Sequence, residues 1–247
     1  MSDLPPAMPA ATLVLMRERQ NGPPELLMTE RTGRMAFAAG ALVFPGGRID
    51  PEDEIIGRAF PALPDAAARI AAIRETIEET GIAPAIHPAP PLVLREAMTT
   101  GADFAALLDR HGLTLELNAL TPFARWCPNF HETRRFDTLF YLAEAPAGAP
   151  TPLVAEAEAV RAFWASAADI LAELDAHRAH AIFPTRRNLE RLARFASIEE
   201  ARADAARHPV TCITPWVEER AGRMFVCIPE GIGYPVTAEP LETARRR

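Results

Sequence analysis

Glu75, Glu78 and Glu79 are the residues of this chain best suited to chemistry. At roughly 100° per residue they fall together on one side of a helix, while Ile70, Ile73 and Ile77 fall nearly opposite. Carboxylates at i, i+3 and i+4 repel one another, and nothing structural calls for that concentration among alanines and isoleucines. A hard divalent cation does. Carboxylate oxygens suit Mg²⁺ or Mn²⁺, and Mg²⁺ keeps several waters while taking its other ligands from a few carboxylates and substrate phosphates. The helix therefore reads as a metal platform. Upstream stands Phe44-Pro45-Gly46-Gly47, whose glycines lack a Cβ and let the backbone come close to a metal or phosphate.

Arg74 to Ile82 reads RETIEETGI, which resembles the second half of the Nudix box, G-x5-E-x7-R-E-U-x-E-E-x-G-U with U aliphatic, and FPGG resembles its opening. Thr76 stands where the pattern has an aliphatic residue, a departure that touches packing rather than chemistry. Gly47 to Arg74 spans 27 positions where the pattern has fourteen, so about thirteen residues are inserted. The insertion, Ile49 to Pro64, is rich in Asp, Glu and Pro and reads as a surface loop, after which Asp65 offers an N-cap. It leaves the middle Glu of the box open: counting forward from Gly47 reaches Asp53, and counting back from Arg74 reaches Ala66.

A split box with Arg134-Arg135-Phe136-Asp137-Thr138 ahead of a strand resembles the subgroup that includes the peroxisomal coenzyme A diphosphatases. The run Leu26 to Arg31, leading to Gly40 and FPGG, is similar to the coenzyme A-cleaving branches. The resemblance implies an α/β/α sandwich with a mixed sheet. It implies that Glu78 and Glu79 are metal ligands, joined by a carbonyl of the box glycines at Gly47. Glu75 is a ligand or the base that positions water, and Arg74 orients the carboxylates through its bidentate fork. A base from a later loop is the other option, with Glu158, six residues before Trp164, as candidate and Glu156 behind it. Arg31, Arg34, Arg135 and Gly46 are the positions expected to meet substrate phosphates.

The implied reaction is attack of water on one phosphorus of a diphosphate that joins a nucleoside to another moiety. Bound Mg²⁺ or Mn²⁺ neutralises charge and lowers the pKa of a water in such chemistry. Coenzyme A or its acyl esters are the favoured substrates, with ADP-ribose and NADH-like dinucleotides as alternatives. A non-catalytic nucleotide sensor on the same fold is the rival reading. The three retained helix glutamates argue against it.

With 247 residues, 49% of them hydrophobic, the chain can bury a full core. A net charge of −7 argues against nucleic acid or an anionic membrane as main partner. Cys127, Cys212 and Cys227 show neither C-x-x-C spacing nor nearby paired histidines, so neither a zinc site nor a disulfide framework is indicated. A reducing cytoplasm fits them. No run approaches the eighteen apolar residues of a membrane span.

The elements that must position the box follow from pattern. Ala10 to Met16 and Leu26 to Glu30 read as paired strands around Asn21-Gly22-Pro23-Pro24, and Ala41 to Phe44 as the short strand delivering the glycines. Leu92 to Thr99 and Asp103 to Arg110 read as two short helices forming a cap, and Leu120 to Cys127 and Phe136 to Glu144 as strands. Phe163-Trp164 and a helix over Ser166 to Asp175 close the Nudix-like region, residues 10–175. Residues 176–247 form an extension packed on the same domain. It comprises a helix over Thr185 to Ala196, a second opened by a capping box at Ser197 and running to Ala206, and a hairpin of Val210 to Val217 with Met224 to Pro229. Leu189, Leu192 and Phe195 pack on the core, pair two subunits as a homodimer, or form an exposed stripe for another partner.

Overall fold

The computed structural model describes residues 5–33, 38–91, 93–128, 135–154 and 159–245. In chain order the first half runs β1 (Met8–Arg17), β2 (Glu25–Arg31), β3 (Leu42–Val43), β4 (Gly46–Arg48), α1 (Pro51–Gly57), α2 (Ala66–Thr80), β5 (Ile86–His87), α3 (Val93–Thr99) and α4 (Phe104–His111). The second runs β6 (Thr114–Leu115), a 3-10 turn at Leu117–Ala119, β7 (Thr121–Trp126), β8 (Phe136–Glu144), β9 (Ala159–Ser166) and α5 (Ala167–Asp175). The extension contributes α6 (Phe183–Leu192), α7 (Ile198–Arg207), β10 (Cys212–Ile213), β11 (Trp216–Arg220), β12 (Arg223–Cys227), β13 (Ala238–Pro240) and α8 (Leu241–Arg245).

Eight strands build the main sheet in the order β10-β7-β8-β1-β2-β3, with β4 also on β1 and β9 also on β2. The β1–β8 and β7–β10 pairs are parallel and the other pairs of this sheet antiparallel, so the sheet is mixed. β1 is central and covered on both faces, which is why it reads as a continuous apolar run rather than an alternation. Ala11, Leu13 and Leu15 point to α2, α3 and α4, while Val14 and Met16 point to α5, α6 and α7. The result is the expected α/β/α sandwich.

α2 lies across β1 through Ile70, Ile73 and Ile77, each at most 1% exposed. Burying such a side chain stabilises the fold by about 1.5–3 kcal/mol. Gly81, at φ 72°, caps its C-terminus, with the Gly81 N–H donating to Ile77 O at 2.8 Å. Thr76 is fully buried and its hydroxyl donates to Ala72 O at 2.7 Å, so the polar residue satisfies itself within the helix. Asp65 precedes the helix without capping it through its side chain. Its carboxylate instead accepts from Arg69 Nε at 2.9 Å and Tyr141 Oη at 3.0 Å.

The insertion is only partly a loop, because it contains α1, started by Pro51 at its first turn. The helix turns Asp53 fully inward, and Glu52 Oε1 accepts from the N–H of Ala105 on α4 at 3.1 Å. α3 and α4, expected as a cap beside the core, instead bury Leu94, Met98, Phe104 and Leu107 in the core on the α2 side of the sheet, and α1 meets α4 there. Leu189, Leu192 and Phe195 are 0%, 3% and 7% exposed and belong to the core, which removes the exposed stripe. Beyond α7, β10 joins the main sheet beside β7. The hairpin is β11–β12, turning at Ala221-Gly222, and the chain continues past it into β13 and α8.

Candidate active site

Arg74 is the centre of the arrangement. Its guanidinium projects from the third turn of α2 into a pocket closed by α1 and β4, and only 7% of the side chain is exposed. Nε and Nη2 donate to the two oxygens of Asp53 at 3.0 and 2.9 Å, a bidentate pair with a carboxylate that is fully buried. Asp53 also accepts from the Asp50 N–H at 2.8 Å, and Arg74 Nη2 donates to Arg48 O on β4 at 3.0 Å. Nη1 faces the other way, donating to Glu75 Oε1 at 3.1 Å and Glu78 Oε2 at 3.3 Å. Burial by itself would lower the Arg74 pKa. The hydrogen bonds to Asp53 and the charges of Glu75, Asp53 and Glu78 outweigh it and hold the guanidinium above its ordinary value. It stays charged and offsets part of the repulsion among the glutamates.

Two elements deliver the glycines. Gly46 and Gly47 lie on β4, opposite Thr12 and Ala11 of β1. A Cβ on Gly47 would overlap the Glu75 carboxylate, so the missing side chain is the space Glu75 occupies. A Cβ on Gly46 would fall 2.7 Å from Thr12 Cα, closer than strand pairing allows. The sequence placed these glycines after a strand. They form one themselves, a role hidden by the lack of side chains to alternate.

Gly46, Gly47, Arg74, Glu75, Glu78 and Glu79 thus come together on one side of α2 and β4. Glu78 is partly exposed and Glu79 is 6% exposed. Hard carboxylate oxygens, one bare backbone strand and a fixed cation behind them suit a divalent metal ion. The three carboxylates do not all draw within 4.8 Å of one another, among the described residues. An ion that takes one or two carboxylates and keeps its waters does not require that. Asp53 is the group that sequence left open; counting forward from Gly47 reached it, and α1 is what carries it back to Arg74.

Arg31 ends β2, half-buried, and its Nε has no hydrogen-bond partner among the described residues. Arg135 donates to Pro5 O at 3.0 Å, Pro128 O at 3.3 Å and Cys127 Sγ at 3.5 Å. Arg34, Arg134, Glu156 and Glu158 fall outside the described residues. Trp126 is core, and its Nε1 donates to Tyr234 Oη at 3.1 Å.

A helix bearing this Arg and three glutamates over a glycine strand, in an α/β/α sandwich, defines a class. Residues 6–185 match the NUDIX domain family, and the chain belongs to it. It is a hydrolase acting on pyrophosphate bonds, in a family whose members generally use divalent metal ions. A NUDIX hydrolase from Alicyclobacillus acidocaldarius is 28% identical, with a TM-score of 0.74 over 82% of this chain and 97% of that one. A MutT protein from Methanosarcina mazei Go1 is 17% identical, TM-score 0.43, over 78% and 97% of the two chains. The NUDIX domain of Shewanella oneidensis NrtR, solved with ADP ribose, is 15% identical, TM-score 0.45, over 77% and 88%. No curated protein matches. Among the described residues no helix is long and apolar enough to cross a membrane.

Proposed function

We propose that the chain hydrolyses the diphosphate of coenzyme A or an acyl-coenzyme A, using Mg²⁺ or Mn²⁺ at Glu75, Glu78 and Glu79 with the Gly47 carbonyl. The observation that carries the site is Arg74, locked by Asp53 on one edge and turned to Glu75 and Glu78 on the other. The substrate class rests on the split box and on Arg134-Arg135-Phe136-Asp137-Thr138. When bound, the ion supplies charge neutralisation at the diphosphate and a lowered pKa for a water.

The chain's own residues provide the rest. Asp53 fixes the Arg74 plane, so the guanidinium presents Nη1 to Glu75 and Glu78 without rotamer search. Gly47 leaves room for Glu75 against β4, which sets where this carboxylate holds a ligand or accepts a proton from water. Glu158 is the second candidate for that proton. Arg31, Arg34, Arg135 and Gly46 are the candidate phosphate contacts.

The test is a panel of coenzyme A, acyl-coenzyme A, ADP-ribose, NADH and nucleoside triphosphates with Mg²⁺ or Mn²⁺, products identified by mass. Release of adenosine 3′,5′-bisphosphate is expected. Turnover of ADP-ribose alone would retain the reaction and retire the substrate class. Glu79→Gln should keep the fold by circular dichroism and lower turnover by about 10²-fold or more; near-normal turnover would remove Glu79 from the site.

A further inference from the structure

A second cluster of ligand-type side chains lies on the opposite wing of the sheet, built from three strands that adjoin in space but not in sequence. Cys127 directly follows β7, Asp137 is on β8 and Cys212 is on β10. Their ligand atoms, two sulfurs and a carboxylate oxygen, all lie within 4.8 Å of one another. Strand register explains the convergence. Trp126 pairs with Thr138, which sets Cys127 beside Asp137, and Cys212 pairs with Arg125 in the parallel β7–β10 ladder. Alternation turns Trp126 and Ile213 into the core on one face and leaves Cys127, Asp137 and Cys212 together on the other.

The same register separates two chemistries that a cysteine pair could have. Cys212 lies opposite Arg125, two residues before Cys127, a diagonal step of about 7–8 Å between Cα atoms. A disulfide spans about 4.4–6.8 Å between Cα atoms. A metal bridge needs less approach. With Zn–S near 2.3 Å, two thiolates on a tetrahedral ion stand about 3.8 Å apart, a small contraction from the spacing found.

We infer that Cys127, Cys212 and Asp137 form a site for a thiophilic divalent cation of the Zn²⁺ type, distinct from the glutamate site. Two soft sulfurs select such an ion over Mg²⁺, and three protein ligands leave a fourth position on the side of the exposed Cys212. Its surroundings are those of a supported ligand set. Arg125 Nε and Nη2 donate to the two Asp137 oxygens at 2.8 and 2.6 Å, using two of about four lone-pair sites and leaving the others for a metal. Arg135 Nη2 contacts Cys127 Sγ at 3.5 Å. Two thiolates and one carboxylate carry three negative charges, set against a dication and the Arg125 and Arg135 guanidiniums. The ion would join β10, the first strand of the C-terminal extension, to β7 and β8.

The experiment uses the full chain, stripped by chelator and kept reduced, with Co²⁺ as optical probe and Zn²⁺ as competitor. A thiolate-to-Co²⁺ charge-transfer band is expected to saturate at one equivalent and to be displaced by Zn²⁺. Cys212→Ser, at an exposed position, should lose the band; Asp137→Asn should weaken Co²⁺ binding tenfold or more; Glu79→Gln should retain it. Absence of the band in the native chain, its survival in Cys212→Ser, or unchanged affinity in Asp137→Asn would each overturn the assignment. So would loss of two hydrogen masses on air exposure that maps to a Cys127–Cys212 disulfide.

Discussion

At the scale of single residues, Asp53 decides whether Arg74 is a positioned group or a mobile one. Its carboxylate accepts three hydrogen bonds in a fully buried place, so a neutral amide there would leave one guanidinium edge poorly matched. Asp53→Asn is expected to cost about 1–3 kcal/mol of stability by urea unfolding. It should raise the Mg²⁺ concentration for half-maximal turnover by about 10–100-fold; an unchanged Mg²⁺ curve would separate Asp53 from the site. The helix glutamates were legible in sequence because one helical face records them at fixed spacing. Asp53 was not, since only α1 inside the insertion brings it to Arg74, and an acid- and proline-rich stretch looks the same whether it coils or makes two helical turns. Thr76 departs from the aliphatic pattern, yet it is fully buried and its hydroxyl finds Ala72 O.

At the scale of elements, β4 carries a prediction that its two glycines divide between them. Gly47→Ala places a methyl against the far end of one flexible side chain, and its backbone angle accommodates alanine. The melting temperature should move by no more than a few degrees, while displacement of Glu75 by about an ångström lowers turnover about 10²-fold. Gly46→Ala meets the backbone of Ala11 and Thr12 instead and should unpair β4 from β1, seen as a large fall in melting temperature. Loss of turnover without loss of stability in Gly46→Ala would contradict that division. Strands that carry bulky apolar side chains up to a turn signal, such as Phe136–Glu144, were readable to the residue. The hairpin was displaced because Val210 to Val217 is shared between two sheets, Cys212-Ile213 with β7 and Trp216 onward with β12.

At the scale of the whole molecule, the C-terminal extension is held by charge buried in the core. Arg191 donates to Asp204 Oδ2 at 2.9 Å and to Phe123 O at 3.0 Å, with the side chains of Arg191 and Asp204 at most 3% exposed. Nearby, Tyr234 donates to Asn188 Oδ1 at 2.7 Å, and burial pushes its phenol up to about 12. Arg191→Ala leaves Asp204 without its main cation and should lower unfolding free energy by about 3–5 kcal/mol, measured by urea midpoint. A loss below about 1 kcal/mol would mean the pair does not fasten α6 to α7. Such a network is invisible in sequence, where arginines of an amphipathic helix read as solvated. The cysteine cluster was hidden likewise, since its members are brought together by strand register.

His180 has a further consequence. Its carbonyl accepts from the Leu42 N–H at 2.8 Å, and its ring nitrogen pairs with Ala39 O at 3.0 Å across 141 positions of sequence. The short strand that leads into the glycines is thus pinned by residues made much later, as β1 is by β8 and β2 by β9. On the ribosome, the glutamate helix emerges long before the framework that aims it. Contacts this distant form slowly, so a nascent chain carries its glutamate face for much of its synthesis without the late strands that frame it.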